Sequence, residues 1–464
     1  MKRPTIQSIL NFNIVSCIIL VCCLSCGESK GQEEGILISN VNIIDVRSGE
    51  ILANRYVVVK DTEISSISTE EPETVFTEII DGNGKYLLPG LAEMHAHIPS
   101  PDWGRKDMEA TLFLYLSNGV TTIRGMLGHP VHLELRERAA RNEILSPRIY
   151  TSSPSLNGNT VPTTEEADKK VREYQAAGYD FLKIHPGIRR DVFDVLVSTA
   201  NEVGIPFAGH VPVDVGIRHA LESNYKSVDH IDGFLEGLVP VEANVSPDEN
   251  GFFGYNFTDL ADRNKITELV ALSAAHQVWI VPTQSLFDRW FSPVAPEDYL
   301  SEEEMQYMPA SVLSAWRESK TNLISNPDYS EDKWERFNSI RRQLLLALQN
   351  NGHGLLLGSD APQVFNVPGF SIHHEIEGML SAGITPLQAI QAGTLNPAMY
   401  FGMEGKFGEI VSGASADLVL LDANPLENIE NLRNPAYVIV RGYSLSRDEI
   451  IQKLSAIAES AKNE

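Results

Sequence analysis

Between Leu91 and Asp360 the chain repeats one pattern eight times: a short apolar run of strand character, followed by a segment with helical spacing of apolar residues. The runs are Leu91 to His97, Val120 to Met126, Arg148 to Ser152, Phe181 to His185, Pro206 to Val211, Ser227 to His230, Trp279 to Thr283 and Leu355 to Asp360. Short continuous apolar runs suit strands buried on both faces, the condition of a parallel sheet covered by helices. One intervening segment places Val192, Val195, Leu196, Ala200 and Val203 three and four residues apart and stops at Gly204, and another opens on a capping box of Thr163 and Glu166. Eight such units predict an α/β fold, a (β/α)8 barrel over residues 91–404. Two connections are long, Asp232 to His276 after the sixth strand and Ser285 to Gly354 after the seventh. Either could carry a lid over the barrel mouth; the second, with Trp290, Trp316 and Trp334 among many acidic residues, reads equally well as decoration packed on the barrel.

The flanks have a different texture. Ile36 to Val46, Tyr56 to Val59, Ile64 to Ile67 and Thr77 to Ile80 are rich in Ile and Val and are separated by Gly, Asn and Asp, and Gly405 to Gly442 resembles them. Residues 35–90 and 405–464 are therefore expected to form one small β-sandwich domain from both ends of the chain. Lys2 and Arg3 precede an apolar run from Ile14 to Leu24, shorter than the roughly 20 residues a membrane-spanning helix needs, so residues 1–25 read as a signal peptide. Cys17, Cys22, Cys23 and Cys26 are the four cysteines, and none follows Cys26, which leaves no disulfide framework and no catalytic thiol beyond it. The run LSCGESKGQEEG looks like a lipobox with Cys26 as the lipidated residue and 26–34 as a polar tether, Cys22 or Cys23 being the other candidate acceptors. These features predict an exported protein of the bacterial cell envelope that meets the membrane only through its lipid anchor. The 37 basic against 62 acidic residues, a net charge of −25, argue against a nucleic-acid backbone as main partner.

The chemistry gathers at the ends of the predicted strands, where barrel enzymes place it. The first strand ends in Glu93-Met94-His95-Ala96-His97; residues two apart on a strand share a side, so both imidazoles can converge on one ion. His210 ends the fifth strand, His230 the sixth and Asp360 the eighth. Imidazole and carboxylate are ligands that suit zinc and related divalent ions, and catalytic sites keep a position open for water. Lys183 ends the fourth strand on the same side as His185. A buried ammonium facing a metal cluster would be costly, whereas a lysine amine that has reacted with carbon dioxide is an anionic carbamate able to bridge two cations.

The order HxH, Lys, His, His, Asp resembles the amidohydrolase superfamily, and so do the flanks DGNGKYLLPGLAEMHAH, NGVTTIRGM, AAGYDFLKIH, AGHVP, GSDA, AGITPLQAIQAGTLNPA and GASADLVLLDANPL. The chain is most similar to the imidazolonepropionase-like branch that includes prolidase-type Xaa-Pro and Xaa-Arg/Lys dipeptidases. The resemblance implies two divalent metal ions, Zn2+ first among the candidates, with His95, His97 and Asp360 on one, His210 and His230 on the other, and N-carboxylated Lys183 between them. It further implies a shared hydroxide as nucleophile and Asp360 as the catalytic group that carries a proton to the leaving amine. Departures from the pattern fall at Arg124-Gly125, at SSPSLNGNT after the third strand, at His185 and at Glu93; Arg124 and His185 could bind a substrate carboxylate or an oxyanion, or be structural. His373 and His374, at a helix start after the eighth strand, read either as further site residues or as a solvated helix end. The function expected is a metal-dependent hydrolase of C–N bonds in small molecules, short peptides or N-acyl amino acids, with room for a homo-oligomer. The same chemistry would serve cyclic amides, lactones, carbamates or esters. A non-catalytic surface binding lipoprotein is the competing class, favoured by loss of a ligand, and none is lost.

Overall fold

The computed structural model describes residues 32–99 and 108–462. The predicted signal peptide and the lipidation at Cys26 lie outside these residues, and Glu33 and Glu34 of the expected tether already belong to the first strand. Strands β1 (Glu33–Ile44), β2 (Ile51–Lys60), β3 (Glu63–Ser68), β4 (Phe76–Asp81) and β5 (Tyr86–Pro89) come first. The barrel strands follow: β6 (Leu91–Ala96), β7 (Val120–Gly125), β8 (Arg148–Leu156), β9 (Phe181–Ile184), β10 (Phe207–Gly209), β11 (Ser227–Asp229) and β12 (Trp279–Val281). Near the C-terminus β13 (Leu418–Leu421), β14 (Tyr437–Val440) and β15 (Tyr443–Ser446) return to the first group.

Both ends of the chain do build one β unit. Its hydrogen bonds form a single mixed sheet in the order β15-β14-β13-β5-β1-β2-β3, with β4 also paired to β1. β1 is long enough to pair parallel with β4 along its first half and with β5 near its end, and Asn40, at φ 53°, marks the bulge between Ile38 and Val41. The sheet curls so that its edge at Ile64 meets Ala414, and Ile38, Val57, Val59, Leu418, Leu420 and Ile439 share one buried cluster. A sandwich-like core thus arises from one curled sheet. The C-terminal helix Arg447–Ala461 packs on both units, with Ile450 in one buried cluster with Val438, Val440 and Leu445 of the sheet and Phe113 and Leu116 of the barrel.

β6 through β12 are parallel neighbours in strict chain order. The eighth position is irregular. Residues 354–361 lie between β12 and β6 with bonds from Leu356 N to Ile280 O (2.8 Å), Met94 N to Leu357 O (2.8 Å) and His97 N to Ala361 O (2.8 Å). The chain passes closest to its neighbours at Gly358, where a Cβ would stand 2.8 Å from His95 N and 2.5 Å from Val281 Cγ1. One residue, Gly90, joins the two units; a Cβ there would meet Thr121 Oγ1 at 2.1 Å.

The long connection after β12 begins with helix Gln284–Trp290 and swings outward through helix Ala310–Ile324 before helix Glu331–Asn351 closes the barrel wall. The excursion is braced within itself at two places and tied at a third to the helix Ser371–Ser381. Arg289 pairs with Glu302, and Lys320 Nζ donates to the carbonyls of Arg289 (2.7 Å), Trp290 (3.2 Å) and Ser292 (2.8 Å), closing the end of the first helix. His374 places Nε2 2.8 Å from Glu304 and Nδ1 3.6 Å from Glu377. It is thus engaged with the excursion rather than solvated, while buried His373 faces Asn118 Oδ1 at 3.1 Å.

Burial opposes the charge on His374, but hydrogen bonds to Glu304 and Glu377 outweigh it and raise its pKa above the ordinary 6.5. Burial likewise opposes the charge of Glu304, yet His374 holds that carboxylate down at about 2; hydrogen bonding to His374 does the same for Glu377. The imidazolium's contribution is complete below pH 6.5 and is lost as pH rises through the raised value, while that of the carboxylates fades as pH falls from 4.5 toward 2. Amide protection factors across residues 303–324, taken against the intrinsic exchange rate at each pH, should therefore be greatest between pH 4.5 and 6.5 and fall toward pH 9 more than they do in His374→Ala.

Candidate active site

Parallel strands in a closed ring deliver their C-terminal ends to one mouth, and the predicted ligands arrive there together. His95, His230 and Asp360 each offer a ligand atom within 4.8 Å of the others, all three residues being buried. His97 Nε2 is 2.7 Å from Asp360 Oδ1, and His95 Nε2 is 3.4 Å from the same oxygen. The His230 ring lies 4.5 Å from both the His95 and the His210 rings. This triad therefore draws on both of the ligand sets expected from sequence. Lys183 is fully buried on β9, and its Nζ has no hydrogen-bond partner.

Three of the four histidines have a group behind the ring. His210 Nδ1 lies 3.1 Å from Asp232 Oδ2, and His230 Nδ1 lies 2.9 Å from Thr283 Oγ1. His95 Nδ1 stands 3.1 Å from Asp229 Oδ2, paired in distance though out of line for a hydrogen bond. Asp229 is in turn fixed through Oδ1 by Arg124 (3.0 Å) and Ser227 (3.0 Å). Glu93 accepts from His95 N (3.1 Å), Ser359 N (2.8 Å) and Ser359 Oγ (2.7 Å), so β6 and the irregular eighth strand are held in register by one carboxyl group. Burial pushes that carboxyl up to about 8.

The backbone is strained here. His230 (φ 65°), Ile231 (φ 57°), Thr283 (φ 46°) and Asp360 (φ 66°) are all left-handed without being glycine, a state that costs of order 1–3 kcal/mol per residue and persists where surroundings over-determine it. Arg341, reaching in from helix Glu331–Asn351, supplies part of that determination by donating to the carbonyls of His230 (2.8 Å) and Pro282 (3.0 Å).

Arg124 is not a substrate group. It has no exposure and is spent inside the barrel on Met94 O (2.6 Å), Ser227 Oγ (2.8 Å), Tyr400 Oη (2.8 Å) and Asp229. The barrel interior claims it because a long cation can link β7 to an acid on β11. His185 does reach the mouth, with Nδ1 2.6 Å from Ser155 Oγ and its ring 5.2 Å from His210. The two lie on one cavity of about 540 Å³ together with Asp360, Asp232, Phe252 and Trp290.

Burial holds His95 and His230 well below the ordinary imidazole pKa, with Lys183 and the other imidazoles adding to the effect, so both are neutral and able to ligate. Lys183 is brought down to about 8 by burial, against the pull of Asp229 and Asp360. Lys183 Nζ, His230 Nε2 and His97 Nδ1 are all buried without a partner, an expensive state for polar atoms at one mouth. Divalent cations would satisfy an imidazole, carboxylate and amine set of this kind, so the residues fit a metal centre.

A model of the amidohydrolase family matches residues 86–445. Among curated proteins, ochratoxinase of Aspergillus niger is 29% identical over 88% of this chain and 85% of its own length. The chain also matches adenine deaminases, such as adenine deaminase 3 of Rhizobium meliloti at 21% identity over 90% of this chain, and it spans only 58% of that protein. Bottromycin amidohydrolase superposes with a TM-score of 0.71 at 24% identity, over 92% of this chain and 90% of its own. A Xaa-Pro dipeptidase with bound methionine gives 0.63 at 20%, over 89% and 100%. At those identities the two structures speak for the fold.

Asp229→Asn should leave the fold in place but weaken metal binding by about 10- to 100-fold, since the residues behind metal-binding histidines carry effects of that size. Competition against a chromogenic chelator measures it, and unchanged affinity would remove Asp229 from the alignment of His95.

Proposed function

The chain belongs to the amidohydrolase family, and on that premise we propose that it is a metal-dependent hydrolase of C–N bonds in small amides, with short peptides and N-acyl amino acids as substrates. The observation that carries the reading is the meeting of His95, His230 and Asp360 within 4.8 Å at the barrel mouth, beside a buried Lys183 amine with no partner. His95, His97 and Asp360 would hold one cation and His210 and His230 a second, zinc being the ion this donor set suits. Bound cations would supply Lewis acidity toward the scissile carbonyl and lower the pKa of water to near 7.

The chain's own residues do the rest. Lys183 Nζ would shed two protons in all, one to become a free amine and one as its N–C bond to carbon dioxide forms and a C=O π bond opens, exchanging a costly buried ammonium for a carbamate anion that could serve as a further cation ligand. Asp232 and Thr283 engage the Nδ1 atoms of His210 and His230, which leaves each Nε2 as the nitrogen available to a cation. Asp360, whose Oδ1 already faces His97, is placed to take a proton on its carboxylate and pass it to the leaving amine. Phe253, packed 5.4 Å from the His230 ring and 5.9 Å from that of His210, keeps bulk water from their outer faces.

The test is release of amino acids from a library of dipeptides and N-acyl amino acids by the zinc-loaded protein, followed with ninhydrin beside a chelator-treated control. Chelator-sensitive release is expected. No release from any member would overturn the peptide and N-acyl reading and turn attention to cyclic amides, lactones, carbamates or esters. Lys183→Ala should lose at least one metal equivalent by elemental analysis; two equivalents retained would sink the carbamate. Asp360→Asn should still bind substrate while turnover drops on the order of 10²- to 10⁴-fold, and near-normal turnover would take proton transfer away from Asp360.

A further inference from the structure

We propose that this cavity selects amides bearing a flat, uncharged aromatic group, seated against Phe252 and Trp290. The inference rests on the C–N hydrolase reading and names the substrate class of the same site. The connection after β11 carries the sequence Gly251-Phe252-Phe253-Gly254, in which Gly251 (φ 70°), Phe253 (φ 53°) and Gly254 (φ 77°) are all left-handed. A non-glycine residue in that state is held there by its surroundings, and here the kink packs Phe253 inward on His210, His230 and Phe287.

Phe252 is thereby left outside. It is 45% exposed although it is wedged among aromatic rings, 4.5 Å from Phe253, 5.0 Å from Trp290 and 5.7 Å from Phe291. Packing of that quality fixes the ring without covering it. The uncovered part borders the cavity of about 540 Å³ that also contains Asp360 and His210, so a ligand on Phe252 lies beside the chemistry. Phe252, Trp290 and Leu286 form an apolar side large enough for a substituted benzene ring, and rings pair well both edge to face and in offset stacks. Lys320, by holding the carbonyls of Arg289 and Trp290, keeps Trp290 at its post.

Charge supplies the second half of the inference. Among the described residues that line the cavity there is no Lys or Arg, while Asp232 and Asp360 bring carboxylates. Arg124, the cation that could have met an anionic group, is spent inside the barrel. An anionic ring would have to give up its hydration with no cationic side chain among these residues to receive it on the aromatic side, and an uncharged ring would not.

The zinc-loaded protein should bind benzamide about tenfold more tightly than acetamide in calorimetric titrations, the gain an aromatic pair provides, and 4-carboxybenzamide should lose that gain. Phe252→Ala should bring the benzamide-to-acetamide ratio close to one and Phe252→Tyr should keep it, with a melting temperature near that of the parent because the side chain is half exposed. The kcat/KM ratio of benzoyl to acetyl compounds should follow the binding ratio, mainly through KM. Equal binding of the two amides, a ratio that survives Phe252→Ala, or tight binding of the carboxylate overturns the proposal. Hydrolysis of amides with no aromatic preference overturns it alone, whereas Phe252-dependent benzamide binding without hydrolysis of any amide supports it and defeats the hydrolase reading.

Discussion

The hydrogen bond from Asp360 N to His95 O, 3.0 Å long, ties the last strand of the barrel to the first, and the site depends on that closure. Seven strands pair in order, but a seven-stranded arc would leave Asp360 and the His95-Ala96-His97 turn on opposite free edges. The eighth segment joins them by lying irregularly between β12 and β6, and Glu93 locks its register by taking Ser359 N and Oγ together with His95 N. The close approach at Gly358 and the left-handed φ of Asp360 accompany that irregular course.

Behind the mouth lies a shell of acids and cations that aligns the imidazoles and meets the cost of burying them. Arg124 fixes Asp229, Asp229 faces His95, Asp232 faces His210, and Arg341 holds the turns that follow β11 and β12. Strain at His230, Ile231, Thr283 and Asp360 persists because these contacts leave no room to relax. The rear of the site is accordingly rigid and polar, while its front, built from the two long connections, is aromatic. The predicted ligands thus sit on the barrel and the aromatic side of the cavity on the excursions. The second excursion is braced within itself by Lys320 and Arg289 and tied to the helix Ser371–Ser381 by His374, and the two excursions furnish the cavity with Phe252 and Trp290.

The sequence by itself determined the barrel, the union of both chain ends in one β unit, and the identity of the groups at the mouth. Those features follow from periodicity and from residue chemistry at strand ends, which are local properties of the chain. What lay behind the ligands was decided by tertiary structure. Asp229 and Asp232 flank His230 in plain view, but alternation along a regular strand would send Asp229 and His230 to opposite sides; only the left-handed break at His230 lets both reach His95. Arg124 looked available to substrate because a strand-end cation is compatible with either the mouth or the interior, and its choice was settled by Asp229, Ser227 and Tyr400, which are distant in sequence. The aromatic wall likewise depended on how two long loops fold back over the mouth, and the direction of such a loop is set by contacts it makes with the rest of the molecule rather than by its own spacing.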